Sequence, residues 1–344
     1  MPGMSANNTR KTHRIAMLIL PGFNAMAAQA FIDPFRAANY LRAARVYEWQ
    51  FLSPQGGTVV ASNGIRIGET GAIADTAADF DLVMVNSSWT PEEFQGSALQ
   101  AWLRAASRQR AVLGGIDTGA FVLAYAGLLE QHRAVVHYEH IDAFAELFPA
   151  ITIEETLYSI DARRVSCCGG VAAIDLALEI IQMQNGIELA NAAARYIFHE
   201  RLRDASEAQV PRYLQPVGYQ VPGKVREAIL LMERNVEEPL TQSELADYLA
   251  LSVRQLQRIF KRYIGLTPVR YYRNVRLDRA RGLVTQTELP IAEVAALCGF
   301  NHAEQFSRAY AQRFELTPTR DRIEGRIPFQ LRNVTGHAGY HSVS

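Results

Sequence analysis

The sequence predicts two domains of different class. One is an N-terminal α/β domain with a doubly wound, mostly parallel, flavodoxin-like sheet, and the other is an all-α C-terminal domain with two helix-turn-helix units. Strand-like and helix-like segments alternate over roughly the first 200 of 344 residues, after which the pattern is helical and repeats itself. The predicted bounds are 12–205 for the α/β domain, 206–223 for a linker, 224–322 for the helical domain and 323–344 for a tail.

The α/β domain is predicted from short apolar runs separated by longer stretches with helical periodicity. Such runs are typical of strands buried on both faces, and their alternation with helices predicts a parallel sheet covered on both sides. The predicted strands are IAMLIL, EWQFLS, DLVMVN, AVLGGI, ITIEETLYSI and RRVSC. The predicted helices cover 25–44, 91–107, 119–129, 171–183 and 189–203.

Composition bears on the class of protein. No apolar stretch approaches the roughly 20 residues that span a bilayer, and IAMLIL ends at Pro21-Gly22, which favours a first strand over a signal peptide. Cys167, Cys168 and Cys298 have neither metal-ligand spacing nor a disulfide framework. We therefore expect a cytoplasmic protein with no metal, no cofactor and no membrane partner.

Charge is distributed unevenly, although the formal net charge of the whole chain is zero. From Lys224 to Arg322 there are 16 Lys and Arg against 12 Asp and Glu, a net of +4. Residues 206–223, with three prolines and two glycines, separate this part from the rest. The helical domain is therefore the part suited to face phosphate groups.

The helical domain contains an internal repeat. RQLQRIFKRYIGLTP at 254–268 aligns with EQFSRAYAQRFELTP at 304–318, an offset of 50, and LADYLALS aligns with VAALCGFN at an offset of 49. Each copy has the pattern of a helix, a short turn and a second helix. Capping boxes are predicted to start these helices at Thr241 and Glu244, at Ser252 and Gln255, and in the second copy at Asn301 and Glu304.

The second helix of such a unit lies in the major groove of double-stranded DNA, with its first residues at base edges. Arg reads guanine and Gln reads adenine through paired hydrogen bonds, whereas Lys261, Arg262 and Arg270 are suited to phosphates. The predicted DNA-contacting residues are Arg254, Gln257, Arg258 and Lys261 in the first copy, and His302, Glu304, Ser307 and Arg308 in the second.

The alternative is a helical bundle with an ordinary solvated charged face. A single amphipathic helix pair would favour that interpretation. The duplicated, capped pair with arginine at the same position in both copies, Arg258 and Arg308, favours DNA.

Residues 225–322 resemble the DNA-binding domain of the AraC/XylS family. The resemblance rests on ELADYLALSVRQLQRIFKRYIGLTPVRYYRNVRLDRAR and IAEVAALCGFNHAEQFSRAYAQRFELTPTRDR. It implies two units joined by a long helix at about 268–284. Two residues depart from the family pattern: Glu315 stands where glycine is usual, and Asp321 where an aromatic residue is usual.

In the N-terminal domain, AVLGGIDTGAFVLAYAGLL has the strand–turn–helix pattern of a nucleophile elbow with Asp117 at the turn. With IDPFRAANYL, YEWQFLSPQGG, FAELFP and CCGGVAAIDLALEII, it resembles the PfpI-like branch of the class I glutamine-amidotransferase-like superfamily. Combined with the AraC-type domain, it resembles the GlxA-type regulators. Enzymes of the superfamily carry cysteine at the elbow, and a carboxylate lacks thiolate nucleophilicity. We therefore expect a binding site and no catalytic residues.

A carboxylate beside aromatic faces suits a cationic or quaternary ammonium ligand. The alternative to a ligand contact is that Asp117 caps the following helix, because the free N–H groups at the start of that helix favour an anion. GlxA-type relatives include regulators of carnitine, glycine betaine and arginine catabolism, which agrees with a cationic or amino-acid-like effector. The predicted ligand-contacting residues are Asp117, Thr118, His137, Trp89 and Phe23.

The resemblance implies a metabolite-responsive transcription regulator, which we expect to be a homodimer that activates a catabolic operon and contacts RNA polymerase. Two other functions stay open at this point. One is an amidase or glyoxalase-like hydrolase with an accessory DNA domain, which Asp117 disfavours. The other is a DNA-binding protein whose α/β domain only dimerises.

Overall fold

The computed structural model describes residues 12–200, 202–209 and 222–324. These residues form two compact units. The α/β unit comprises 12–137 and the described residues of 148–209, and the helical unit comprises 138–147 and 222–324. The predicted linker 206–223 and tail 323–344 lie mostly outside the described residues.

The α/β unit contains an eight-stranded sheet of order β3-β4-β2-β1-β5-β6-β10-β9. All neighbouring strands in it are parallel except β3 with β4 and β9 with β10, so the predicted mostly parallel sheet is confirmed. Two further short strands, β7 and β8, pair with each other. The strands are β1 His13–Ile19, β2 Tyr47–Ser53, β3 Gly57–Val60, β4 Arg66–Ala72, β5 Leu82–Ser87, β6 Val112–Asp117, β7 Arg133–Ala134, β8 Thr152–Ile153, β9 Tyr158–Asp161 and β10 Arg164–Cys167.

Helices of the α/β unit bury apolar residues against the sheet. In β1, Ile15, Met17 and Ile19 pack in one core cluster with α1, α5 and α6, while the alternate residue Leu18 is also fully buried, as expected for a strand covered on both faces. The helices are α1 Ala25–Arg42, α2 Ser97–Arg108, α3 Gly119–Tyr125, α5 Ala172–Asn185 and α6 Ile187–Tyr196.

One strand prediction in this unit needs correction, and one hairpin lies outside the predicted strands. The single strand predicted for ITIEETLYSI is divided into β8 and β9, because its middle residues bond elsewhere: Glu154 N donates to Ala134 O, and Leu157 N donates to Glu207 O. The β3–β4 hairpin was not predicted, because its residues lack a continuous apolar run.

The helical unit consists of two helix pairs joined by a long helix, as the sequence predicts. The pairs are α8 with α9 and α11 with α12, and α10 joins them. Each pair has its own apolar core, centred on Leu256 and Phe260 in the first and on Phe306 and Tyr310 in the second. The helices are α4 Ile141–Leu147, α7 Gly223–Arg234, α8 Gln242–Tyr248, α9 Val253–Tyr263, α10 Pro268–Gln286, α11 Ile291–Leu297, α12 Ala303–Phe314 and α13 Pro318–Glu324.

The helix α4 reaches this unit from an earlier part of the chain. It packs against α10, and Asp142 Oδ1 lies 3.3 Å from Arg279 Nε. Phe144 of α4 is fully buried. The helical unit is thus built from two separate stretches of sequence.

The two residues that depart from the family pattern have clear structural positions. Asp321 is fully buried and accepts hydrogen bonds from Arg281 Nε at 2.9 Å and Tyr310 Oη at 2.8 Å, so this position carries a polar network. Glu315 ends α12 with φ of 61°, in the left-handed region, where the first copy has Gly265 with φ of 78°.

Within the residues that the structure describes, no helix combines the length and apolar character needed to cross a membrane.

Candidate functional site

The elbow predicted at the end of the fourth apolar run is present. β6 ends at Asp117, α3 begins at Gly119, and Asp117 has φ of 62°, which non-glycine residues rarely adopt. Packing requires the flanking glycines, because a Cβ on Gly119 would overlap Val85 O and one on Gly115 would overlap the backbone N of Ala120. This is the geometry of a nucleophile elbow, with a carboxylate in the place of the nucleophile.

Asp117 is held from the first turn of α1. Its side chain is buried, and Asn24 Nδ2 donates to Asp117 Oδ2 at 2.8 Å. Asn24 is in turn fixed as the N-cap of α1, where its Oδ1 accepts from Ala27 N, and by paired hydrogen bonds with the side chain of Asn86. The carboxylate therefore has a fixed position at the carboxyl edge of the sheet.

Two further strand ends converge on Asp117. Gly169 follows β10 with φ of 90°, which favours glycine, and a Cβ there would make a tight contact of 3.2 Å with Asp117 Oδ2. Ser87 ends β5 and lies in register with Asp117. Ser87 is fully buried, and its Oγ has no hydrogen-bond partner in the described part of the chain. A buried hydroxyl without a protein partner is uncommon in folded proteins, and such groups are satisfied by an ordered water or by a bound group.

The structure places the five predicted ligand residues unequally. Thr118 donates from Oγ1 to Ser88 O at 2.5 Å and is fully buried, and His137 N donates to Asp117 O at 3.1 Å. Trp89 follows Ser88 at the same strand end and is half-buried. Phe23 is fully buried and packs in the apolar core.

The sequence did not single out Asn24, Asn86 or Ser87. Each is a small polar residue at an element end, and nothing in the local pattern distinguishes it from an ordinary cap or turn residue. Their proximity to Asp117 follows from the strand order of the sheet, which local periodicity does not encode.

The cysteines near the elbow are protonated thiols at neutral pH. Burial, and after it the negative charge of Asp117, raise the pKa of Cys168 to about 12. Burial, and next the neighbouring Cys168, raise the pKa of Cys167 far above its ordinary value. Because the thiolate is the reactive form, these raised pKa values disfavour nucleophilic chemistry at either side chain. In the described residues, no group of His, Cys, Asp and Glu is arranged to hold a metal ion.

The first predicted DNA-reading helix, α9, is well defined at its start. Capping boxes at Thr241 with Glu244 and at Ser252 with Gln255 are both confirmed. The four predicted residues Arg254, Gln257, Arg258 and Lys261 are all exposed. Two of them also make contacts within the unit: Gln257 Nε2 donates to Gln242 Oε1 at 3.0 Å, and Lys261 Nζ donates to Gly265 O at 3.1 Å.

The second such helix, α12, begins differently from the prediction. The expected capping box of Asn301 with Glu304 is wrong, because α12 begins at Ala303 and its N-cap is His302, which makes no side-chain cap bond. At the repeat offset of 50, His302 is the counterpart of Ser252, so the cap position carries an imidazole in place of a hydroxyl. His302, Glu304 and Arg308 are exposed, and Ser307 is half-buried.

Comparisons with known proteins agree with both units. A family model described as a helix-turn-helix domain matches residues 245–323. The HTH-type transcriptional regulator CdhR of Pseudomonas aeruginosa is 40% identical over 306 residues, covering 89% of this chain and 90% of the relative. The HTH-type transcriptional regulator GbdR of Pseudomonas aeruginosa is 36% identical over 325 residues, covering 94% and 88%. A ThiJ/PfpI family protein from Pseudomonas syringae has a TM-score of 0.51 at 21% identity, covering 73% and 97%, and is similar in fold.

A doubly wound sheet with an elbow, joined in one chain to two helix-turn-helix units, defines a DNA-binding transcription regulator. The chain belongs to the AraC family of these regulators, and within it to the GlxA type with a PfpI-like N-terminal domain.

Proposed function

We propose that this regulator activates a catabolic operon in response to a small cationic metabolite, a quaternary amine or an amino-acid-like molecule, bound beside Asp117. The observation that carries the proposal is a buried carboxylate at the elbow. A fixed negative charge in a site of low polarity favours a cation, and aromatic faces strengthen that preference.

The surroundings of Asp117 support a binding site. Asn24 orients one carboxylate oxygen, the Ser87 hydroxyl lacks a partner among the described residues, and Trp89 lies at the end of the adjacent strand. These groups offer a charge, a hydrogen bond and an apolar face, and they come from three segments of the chain that end at the carboxyl edge of the sheet. That combination is typical of small-molecule sites, in which a few polar groups fix the orientation of the ligand.

The proposal includes the absence of enzyme activity. Two observations support it: Asp117 occupies the position of the nucleophile, and the thiols of Cys167 and Cys168 have raised pKa values. Relatives that span nearly the whole chain are named as transcriptional regulators.

The helical unit is proposed to read DNA through α9 and α12, in the cytoplasm and as a homodimer. Exposure of seven of the eight predicted residues supports this assignment, and Ser307 is half-buried. Activation through a contact with RNA polymerase stays a prediction. Ligand binding would act by favouring one arrangement of the DNA-binding units over another, which requires different affinity for the two arrangements.

Calorimetry on the full chain tests the ligand site. The probes are tetramethylammonium, glycine betaine, carnitine and arginine, each titrated into the wild type and into Asp117→Asn. The substitution removes the charge and keeps an oxygen that accepts from Asn24, so the fold is preserved. Loss of a charge-assisted contact is worth about 1.5–3 kcal/mol, and we therefore expect binding of the responding cation to weaken by roughly 10- to 100-fold.

The matched control is Asp33→Asn, which removes an exposed carboxylate paired with Arg36 in α1. It should leave the affinity unchanged. The proposal is wrong if Asp117→Asn binds the responding probe as tightly as the wild type does, or if none of the four probes produces binding heat.

A further inference from the structure

A cleft of about 480 Å³ lies in the helical unit between α10 and α12. Its lining residues are basic, polar and apolar, and none of them is acidic. The lining residues are Arg270, Arg273, Asn274, Leu277, Ala309, Gln312 and Arg313. We call this feature the arginine cleft.

Two of the three guanidinium groups in the arginine cleft have no ion-pair partner within the described residues. Arg270 and Arg273 are exposed at the start of α10 and take part in no ion pair there. Arg313 is fixed instead, because its Nη2 lies 2.7 Å from Asp278 Oδ2 on the facing helix. The cleft thus has a positioned cation on one wall and two unneutralised cations on the other. Guanidinium groups pair with the oxygens of phosphate through two parallel hydrogen bonds, which makes a phosphate-class anion the suitable ligand.

The position of the arginine cleft indicates the source of that anion. α10 begins five residues after α9 ends, and Gln312 lies one turn beyond Arg308 on α12. The cleft therefore lies between α12, which is assigned to the major groove, and the start of α10, which follows the other such helix, α9. A duplex that accommodates α9 and α12 in successive segments of its major groove presents sugar–phosphate backbone between them.

We propose that the arginine cleft binds a phosphodiester group of the DNA strand that passes between α9 and α12. Arg270 and Arg273 bond the phosphate oxygens, and Arg313, paired with Asp278, borders the site on the facing helix. This inference rests on the proposed placement of α9 and α12 in the DNA. The contact positions the duplex without reading its sequence, so it sets the distance between the two segments that are read.

The test measures DNA affinity of the full chain by fluorescence anisotropy as a function of salt. The probes are a duplex selected by the wild type from a randomised pool and a scrambled duplex of the same composition. Each phosphate contact contributes about 0.9 to the slope of log affinity against log salt concentration. We expect Arg273→Ala to lower that slope by about 1 and to weaken both duplexes by the same factor, roughly tenfold near 0.1 M salt.

Arg226→Ala is the matched control, because it removes an equal charge from an exposed position in α7, away from the arginine cleft. It should leave the slope unchanged. Arg258→Ala separates this inference from the proposed function, since loss of a base contact weakens the selected duplex more than the scrambled one.

Equal slopes for Arg273→Ala and Arg226→Ala would overturn the inference while the effect of Arg258→Ala still stands. Inorganic phosphate provides the remaining arm. Saturable binding of phosphate that Arg273→Ala abolishes, with DNA affinity intact, would assign the arginine cleft to a free anion and also overturn the inference.

Discussion

At the scale of single residues, the elbow brings together the carboxylate of Asp117, which is held by a hydrogen bond, and the hydroxyl of Ser87, which has no hydrogen-bond partner among the described residues. Asp117 receives a hydrogen bond from Asn24, whereas the buried hydroxyl of Ser87 receives and donates none within the described residues. An unsatisfied buried hydroxyl lowers the stability of the folded state. A residue that costs stability in this way is expected where it serves binding.

Ser87→Ala tests that expectation. Removing a buried hydroxyl that has lost its hydrogen bonds to water should raise the free energy of unfolding of the α/β unit by about 1 kcal/mol. The same variant should bind the responding cation more weakly than the wild type. Urea unfolding followed by circular dichroism measures the first effect, and calorimetry measures the second.

Ser53→Ala is the control for this prediction, because Ser53 is also buried but its Oγ lies 2.8 Å from Thr70 Oγ1. That variant should lose about 1 kcal/mol of stability. If the two serines responded with the same sign, the interpretation of Ser87 as an unsatisfied group would be incorrect.

Sequence reasoning located Asp117 but not its neighbours, for a physical reason. The elbow is a local pattern of apolar strand, small residues and helix, and such patterns are readable along one segment. Asn24 and Ser87 reach Asp117 from other segments, because β1, β5 and β6 are adjacent in the sheet. Strand order depends on contacts between distant segments, and a single sequence contains no direct record of those contacts.

At the scale of elements, the two sequence repeats fold into the same helix pair with different ends. α9 starts with a capping box at Ser252, whereas α12 starts at His302 without a side-chain cap bond. The turn after α9 contains Gly265, and α12 ends at Glu315, both in the left-handed region. The repeat was therefore a reliable guide to the helices and a poor guide to the cap of the second copy, because a cap depends on a single side chain.

Glu315→Gly should stabilise the helical unit. A residue with a Cβ in the left-handed region costs about 1–2 kcal/mol, which glycine avoids at an entropic cost of about 0.5–1 kcal/mol. We expect the free energy of unfolding to rise by roughly 0.5–1 kcal/mol. Urea unfolding monitored by the helical signal of the full chain would measure it.

Glu293→Gly is the opposite case, because this exposed glutamate lies inside α11 with ordinary helical geometry. It should destabilise the unit by about 1 kcal/mol. A loss of stability in Glu315→Gly similar to that in Glu293→Gly would contradict the assignment of strain to the end of α12.

At the scale of the whole molecule, the α/β unit exposes several large apolar side chains on the helix layer of α1, α5 and α6 and in the turn that follows α6. Phe198, two residues after the end of α6, is 94% exposed, and Met183 of α5 and Ile187 of α6 are 64% and 58% exposed. Exposed apolar side chains in such number mark interaction surfaces in soluble proteins. They support this layer as the contact between copies in the proposed homodimer.

The double variant Phe198→Ser with Ile187→Ser tests that assignment by sedimentation velocity. The wild type should sediment as a dimer, and the variant should shift towards the monomer because the apolar area buried between copies is lost. Ile65→Ser is the control, since Ile65 is 55% exposed in the β3–β4 hairpin. A monomeric wild type, or equal dissociation of the control, would contradict the prediction.

Because the helical unit is built from two separate stretches of sequence, cleavage or domain exchange at 206–223 would divide it. A C-terminal piece released by cleavage at 206–223 would carry α7 to α13 but leave α4 behind, so Arg279 would lose its neighbour Asp142 and part of α10 would lose its cover. Exchange of the DNA-binding part between related genes at this junction would likewise transfer the helical unit without α4. We therefore expect a chimera to be more stable when residues 138–147 and the C-terminal helices come from the same parent protein.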